Sequence, residues 1–200
     1  MGSLIDLKKR VWKANMDLFK KKLVVHTFGN VSGIDRNEGV IAIKPSGVPY
    51  TELTAEKIVL VDLDNNIIEG KYKPSSDTRT HLVLYNAFSE IGGVAHTHSP
   101  YATAWAQSTW PVPCFGTTHA DYGRGNIPCT EIMTDKQIHA DYETETGNQI
   151  VKAVKNQTNY FVKMIHVAQH DHLHWVTQLR MPWNTQFFSK KFAKWPHLLK

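Results

Sequence analysis

The sequence predicts a mixed α/β fold in one domain, on three observations. At 200 residues the chain is of single-domain size. It is 42% hydrophobic and 20% charged, the composition of an ordinary globular protein rather than a disordered, collagen-like or coiled-coil chain. Short apolar runs of strand length lie early, at 23–28, 40–43 and 58–63, with helical patterns interspersed and no internal repeat.

The elements follow in order. The N-terminal segment reads as an amphipathic helix, with Ser3 as a cap, Asp6 three residues on, and Leu4, Leu7, Val11 and Leu18 at helical spacing. The three strand-like runs come next, and Asp64-Asn65-Asn66 marks a turn. Residues 77–88 read as a helix with Leu82, Leu84, Tyr85 and Phe88 inward, 92–97 as a strand and 101–107 as a short helix. Thr134-Asp135 opens a longer helix to about residue 155, with a break expected at Gly147. Residues 161–169 read as the last strand, and Trp105 and Trp110 as core.

No apolar run reaches the roughly 18 residues of a membrane span. Lys8, Lys9 and Arg10 have no apolar block behind them, so a signal peptide is not expected. Cys114 and Cys129 read as free thiols, which suits a reducing cytoplasm. The net charge of +5 is uneven: residues 171–200 hold five basic groups and one acid, leaving 18 basic and 17 acidic before them. That tail also holds three of the six tryptophans, and no glycine follows Gly147. A basic tail alone is weak ground for nucleic-acid binding, which is not expected.

Three groups of residues could carry chemistry. In a strand, residues i and i+2 share a face, so His96 and His98 of Ala95-His96-Thr97-His98 can converge on one metal ion. A third ligand is open among His170, His119, His166, His172 and His174. Gly29-Asn30, Lys44 with Ser46-Gly47, and Ser75-Ser76 before a helix could gather hydroxyls and free N–H groups around a phosphate; singly, each also reads as a turn or N-cap. Thr117-Thr118-His119-Ala120-Asp121-Tyr122 is a loop dense in groups for acid–base work, or simply a solvated loop.

In sequence order, GNVSGIDRNEGVIAIKPSGVPY, KPSSDTRTH, GGVAHTHSPYATAWAQ, GTTHADY, IPCT and ETGNQIV make residues 1–170 resemble the L-ribulose-5-phosphate 4-epimerases of the class II aldolase/adducin-like superfamily. The resemblance implies an α/β/α sandwich around a mostly antiparallel sheet, assembled as a cytoplasmic homotetramer with active sites between subunits. It implies one zinc ion per subunit on His96, His98 and His170, with Asp77 beside or on the metal. Gly29, Asn30, Lys44, Ser46, Gly47, Ser75 and Ser76 would hold the substrate and its phosphate, and Asp121 would move a proton. The implied reaction is zinc-assisted retro-aldol cleavage and re-addition, turning L-ribulose 5-phosphate into D-xylulose 5-phosphate. That step occurs in arabinose and in ascorbate breakdown, and no residue chooses between them. Three other readings stand beside it: a sugar-phosphate aldolase (which usually has Glu where Asp77 lies), an inactive remnant, and a non-catalytic module such as adducin heads, which lack the histidines.

After His170 the family continues Gly-Pro-Phe and a closing helix, whereas this chain reads Asp171-His172-Leu173-His174-Trp175. No tyrosine follows Tyr160, although the family places a second proton-transfer tyrosine near the C-terminus. Permitted codons for residues 171–198, read one base out of frame, can spell PFTLGNATADALEHTILLEEVCKMATF, a family-like ending with an acidic amphipathic helix. Residues 171–200 therefore read as a divergent, frameshifted tail that lacks the closing helix and packs poorly, with impaired turnover expected.

Overall fold

In a computed structural model of the chain, residues 2–121, 125–156, 164–170 and 172–176 are described. Helix α1 (Gly2–Lys20) starts one residue ahead of the expected cap at Ser3. Its Leu7, Val11, Ala14 and Leu18 fall on one face and are buried. Asn15, fully buried on the same helix, ties it to the sheet. Its Oδ1 accepts the Val31 N–H at 2.9 Å, and its Nδ2 donates to the Val31 carbonyl at 2.9 Å. Each buried polar atom of that amide is thereby satisfied, which is the condition for keeping it in a core.

Seven strands form one sheet: β1 (Asn30–Asp35), β2 (Val40–Ile43), β3 (Val59–Asp62), β4 (Ile67–Glu69), β5 (Gly93–Thr97), β6 (Met164–His166) and β7 (His172–Val176). Their order is β4-β3-β2-β1-β5-β7-β6, and every neighbouring pair is antiparallel. Strand alternation sorts the core into two layers. Val31, Val40, Ala42, Leu60 and Ala95 pack against α1 on one face. Ile34, Ile41, Val59, Val61, Val94 and Ile165 pack on the other, against α2 (Thr78–Ala87) and α5 (Asp135–Lys155). The result is the expected α/β/α sandwich. Helix α3 (Pro100–Gln107) and the single turn α4 (Thr117–Ala120) lie between β5 and α5 in sequence. No helix among the described residues is long and apolar enough to cross a membrane.

Several expectations need correction. Residues 23–28 form turns, not a strand: Lys22 and His26 take positive φ, and Val25 and Phe28 are exposed. The strand begins at Asn30 instead, and its polar Asn30 and Ser32 are buried on the face that α2 covers. Trp110 is exposed, while Trp105 packs on Val112, Ile127 and Met164. The break in α5 falls at Asp141 (φ −151°, ψ 91°), and Gly147 lies within the helix. Its role is close packing, since a Cβ there would stand 2.7 Å from Val83 Cβ on α2. The strand expected at 161–169 is β6, and residues 161–163 lie outside those described.

It is not the last strand. β7 follows, with His96 paired to Leu173 on one side and Ile165 to Leu173 on the other. A strand between two neighbours is held by main-chain N–H and C=O groups, which any sequence without proline supplies. Its alternating His172-Leu173-His174-Trp175-Val176 carries a period of two that the sequence reading passed over. The expectation of disorder or poor packing for 171–200 is corrected at 172–176, which pair as β7, and otherwise falls outside the described residues.

Candidate active site

The site forms where β1 begins, β5 ends and α2 begins. Asn30 and His96 are cross-strand partners in the β1–β5 pair, so their side chains share the face that α2 covers. The N-cap of α2 is Asp77, whose Oδ2 meets His96 Nδ1 at 2.7 Å and accepts from Asn30 Nδ2. Asn30 Nδ2 also donates to Ser75 Oγ at 3.2 Å, and Ser75 Oγ accepts the Asp77 N–H at 3.3 Å. Burial opposes the charge on Asp77, yet His96, His81 and the Asn30 amide hold its carboxyl well below the usual carboxylate range.

Three imidazoles stand together there. The His96 and His98 ring centroids are 4.8 Å apart, His96 and His170 5.6 Å, and His98 and His170 6.4 Å. His98 is anchored by its N–H to the Leu23 carbonyl at 3.2 Å. His170 follows a tight turn in which Gln169 takes φ 60°, a conformation uncommon outside glycine and asparagine. Of the five candidates for third partner, His170 joins the pair. His166 is buried on β6 against the Ala102 carbonyl, and His119 is buried at α4. His172 and His174 lie in β7, known by its backbone pairing alone. Among the described residues, no His, Cys, Asp or Glu trio is closed up to metal-bonding geometry. Asp77 sits on the Nδ1 side of His96.

The anion groups also converge. The loops at 44–47 and 73–76 are zipped by Ser46 N–H to Lys73 O at 2.9 Å, by Ser75 N–H to Lys44 O at 3.1 Å and by a Pro45–Pro74 bridge. Ser46, Gly47 and Ser76 are exposed at the rim, while Asn30 and Lys44 form a buried floor. Lys44 Nζ donates to the carbonyls of Thr27 and Pro45, at 3.2 and 3.3 Å, and lies 4.9 Å from the Tyr50 ring centroid. Burial lowers its pKa to about 8, partly offset by Asp77, so it is cationic at neutral pH. Gly29 takes φ 77°, and a Cβ there would meet Val24 Cγ1 at 2.5 Å and the His96 carbonyl at 2.9 Å. Only glycine lets this turn pass so close behind His96. Asp121 is exposed at the end of α4, and Tyr122 lies outside the described residues.

Sequence reasoning missed a polar cluster beneath the site. His81, one helical turn after Asp77, is fully buried, with Nδ1 2.7 Å from Ser32 Oγ, which in turn lies 2.8 Å from the Tyr85 hydroxyl. The i, i+4, i+8 spacing of Asp77, His81 and Tyr85 was the available signal. Burial pushes the His81 pKa down to about 4, against a partial lift from Asp77. His81 is thus neutral when folded but takes a proton when unfolded below about pH 6.5. Between pH 6.5 and 4 the unfolded state binds more protons, so stability falls as pH falls. We expect a loss of about 3 kcal/mol across that window from this group. Urea titrations at several pH values should show it, and His81→Gln should flatten the slope; an unchanged slope would refute the assignment. Asp77 acts only at lower pH, below its unfolded value.

Residues 9–177 match the class II aldolase and adducin N-terminal domain model. The chain belongs to that family. It is 47% identical over 169 residues to an L-ribulose-5-phosphate 4-epimerase UlaF of Salmonella paratyphi B, covering 84% of this chain and 74% of the relative. Among solved structures, an L-fuculose 1-phosphate aldolase superposes with a TM-score of 0.80 at 28% identity, covering 94% of this chain and 84% of that one. An L-fuculose-1-phosphate aldolase from Thermus thermophilus has a TM-score of 0.71 at 19% identity, with 94% and 92% covered, a likeness of fold. The chain is thus similar in sequence to named epimerases and in fold to named aldolases.

Proposed function

We propose that the chain is built as a zinc-dependent L-ribulose-5-phosphate 4-epimerase, working as a homotetramer on a soluble sugar phosphate. The observation that carries this is the joining of His96, His98 and His170 to the Lys44–Asn30–Ser75 cradle through Asp77. The 47% identity to named epimerases supports it. The donor set fits a divalent ion. Asp77 and Tyr142 engage the Nδ1 atoms of His96 and His170, so these rings would hold a metal through Nε2. Three imidazoles with one position open is a catalytic zinc pattern. Asp77, already bonded to His96, acts through that ring. The bound ion supplies Lewis-acid charge for the oxygens that become negative.

The protein groups divide the remaining work. Lys44, Ser46, Gly47, Ser75, Ser76, Gly29 and Asn30 hold the phosphate and orient the sugar, so that the fragment carrying it stays bound after cleavage. A base removes the C4 hydroxyl proton, the C3–C4 bond breaks, and glycolaldehyde phosphate and the enediolate of dihydroxyacetone result. The aldehyde turns, C3 attacks its other face, and the returning proton gives D-xylulose 5-phosphate. Asp121 is the proton carrier on one side. The tyrosine expected for the other has no counterpart after Tyr160, so we propose that turnover by this 200-residue chain is impaired.

Product analysis tests the reading. L-Ribulose 5-phosphate should yield D-xylulose 5-phosphate without free dihydroxyacetone phosphate from 1-phosphate sugars. Release of free dihydroxyacetone phosphate from fuculose- or rhamnulose-type 1-phosphates would instead make the chain an aldolase.

A further inference from the structure

Helix α5 is broken at Asp141, and the break is capped. Asp141 Oδ1 accepts the Thr144 N–H at 3.3 Å, three residues on, and its Oδ2 accepts from Thr144 Oγ1 at 2.8 Å. Its non-helical backbone and that hydrogen bond are those of an N-cap, so a second helical segment starts inside the first. Arg79 of α2, two residues beyond Asp77, adds an ion pair to Asp141 Oδ2 at 3.0 Å. The first residue of the new segment is Tyr142. Its hydroxyl lies 2.9 Å from His170 Nδ1, and the two rings meet edge to face at 5.7 Å.

We propose that Tyr142 is a positioning residue for the metal ligand His170, an inference that rests on the metal reading above. With the metal on Nε2, Nδ1 carries its proton and donates to the Tyr142 oxygen. That contact selects the tautomer and fixes the ring plane, as outer hydrogen bonds do for ligating histidines. His170 needs such support, because the turn before it places Gln169 at positive φ and no regular strand holds the residue itself. The break at Asp141 starts a new helical segment at Tyr142, and Arg79 ties it to the helix that begins beside Asp77.

Tyr142→Phe in the 200-residue chain removes one oxygen and keeps the ring. Zn²⁺ affinity, measured by competition with a chelator, should fall about 10- to 100-fold. The imidazole nitrogen resonances of His170 in chain stripped of metal should shift, while the thermal midpoint of that stripped chain stays unchanged. Equal affinity and unmoved His170 resonances would overturn the proposal. A fall in affinity that tracks a lowered midpoint would overturn it too, as a merely structural effect. If the unsubstituted chain takes up no zinc, the metal reading itself fails, an outcome distinct from loss in the variant alone.

Discussion

On the function proposed above, replacing His96 with alanine should remove stoichiometric zinc from the protein and abolish epimerisation. His96 is the buried centre of the site: it touches Asp77, lies with its ring tilted against those of His98 and His170, and pairs across strands with Asn30. Its loss deletes one of three nitrogen donors and strips Asp77 of its imidazole partner. A metal held by two imidazoles binds far more weakly, and charge stabilisation worth several kcal/mol disappears with it. We expect a fall in kcat/KM of about 10³-fold or more. Because His96 is buried, His98→Ala provides a second variant at a half-buried ligand. Metal content by atomic spectroscopy, with circular dichroism as a check on folding, decides the matter. Full zinc occupancy in both variants would sink the proposed site.

Restoring one base after the His170 codon should raise activity by about 10²- to 10⁴-fold, the usual worth of a positioned proton-transfer group. The restored frame would read on through Pro-Phe-Thr-Leu into an acidic helix, the ending expected of the family. The argument is physical as well as textual. A basic, glycine-free segment with Trp175, Phe187, Phe188 and Trp195 does not present the apolar stripe of a helix closing a sandwich. A strand needs less, so β7 at 172–176 can be satisfied by its main chain between β5 and β6. The test compares both proteins for turnover and assembly, beside a fresh read of the gene across that codon. Equal turnover by the 200-residue chain would refute the prediction, as would a gene in which no single-base change opens the alternative frame.

Much of this was legible before any coordinates. Strands β2 and β5 and helices α2 and α3 sat where the sequence placed them, because the strands are short buried runs bounded by turn residues and the helices carry apolar residues at helical spacing. His96 and His98 could be paired from the two-residue period of a strand alone. Other features were hidden for definite reasons. β1 was misplaced because Asn30 and Ser32 give it polar positions that serve the site, so hydrophobicity pointed one segment too early. The break in α5 was assigned to Gly147 on conformational freedom, whereas Asp141 breaks it by capping and Gly147 serves contact with Val83.

The sequence by itself determined the class of fold, the two-histidine strand, the polar Gly/Ser-rich turns and the point after His170 where the text departs from its family. Those are properties of local period and of motif, written within a few residues of one another. Only the tertiary structure decided which histidine joins the pair, that Asp77 at the start of α2 bonds His96 and Asn30, and that His81 and Tyr142 stand behind the site. Each of these depends on strand order and on helix packing across the sheet. Such contacts join residues dozens of positions apart, and they form only when burial of both sheet faces brings those segments together.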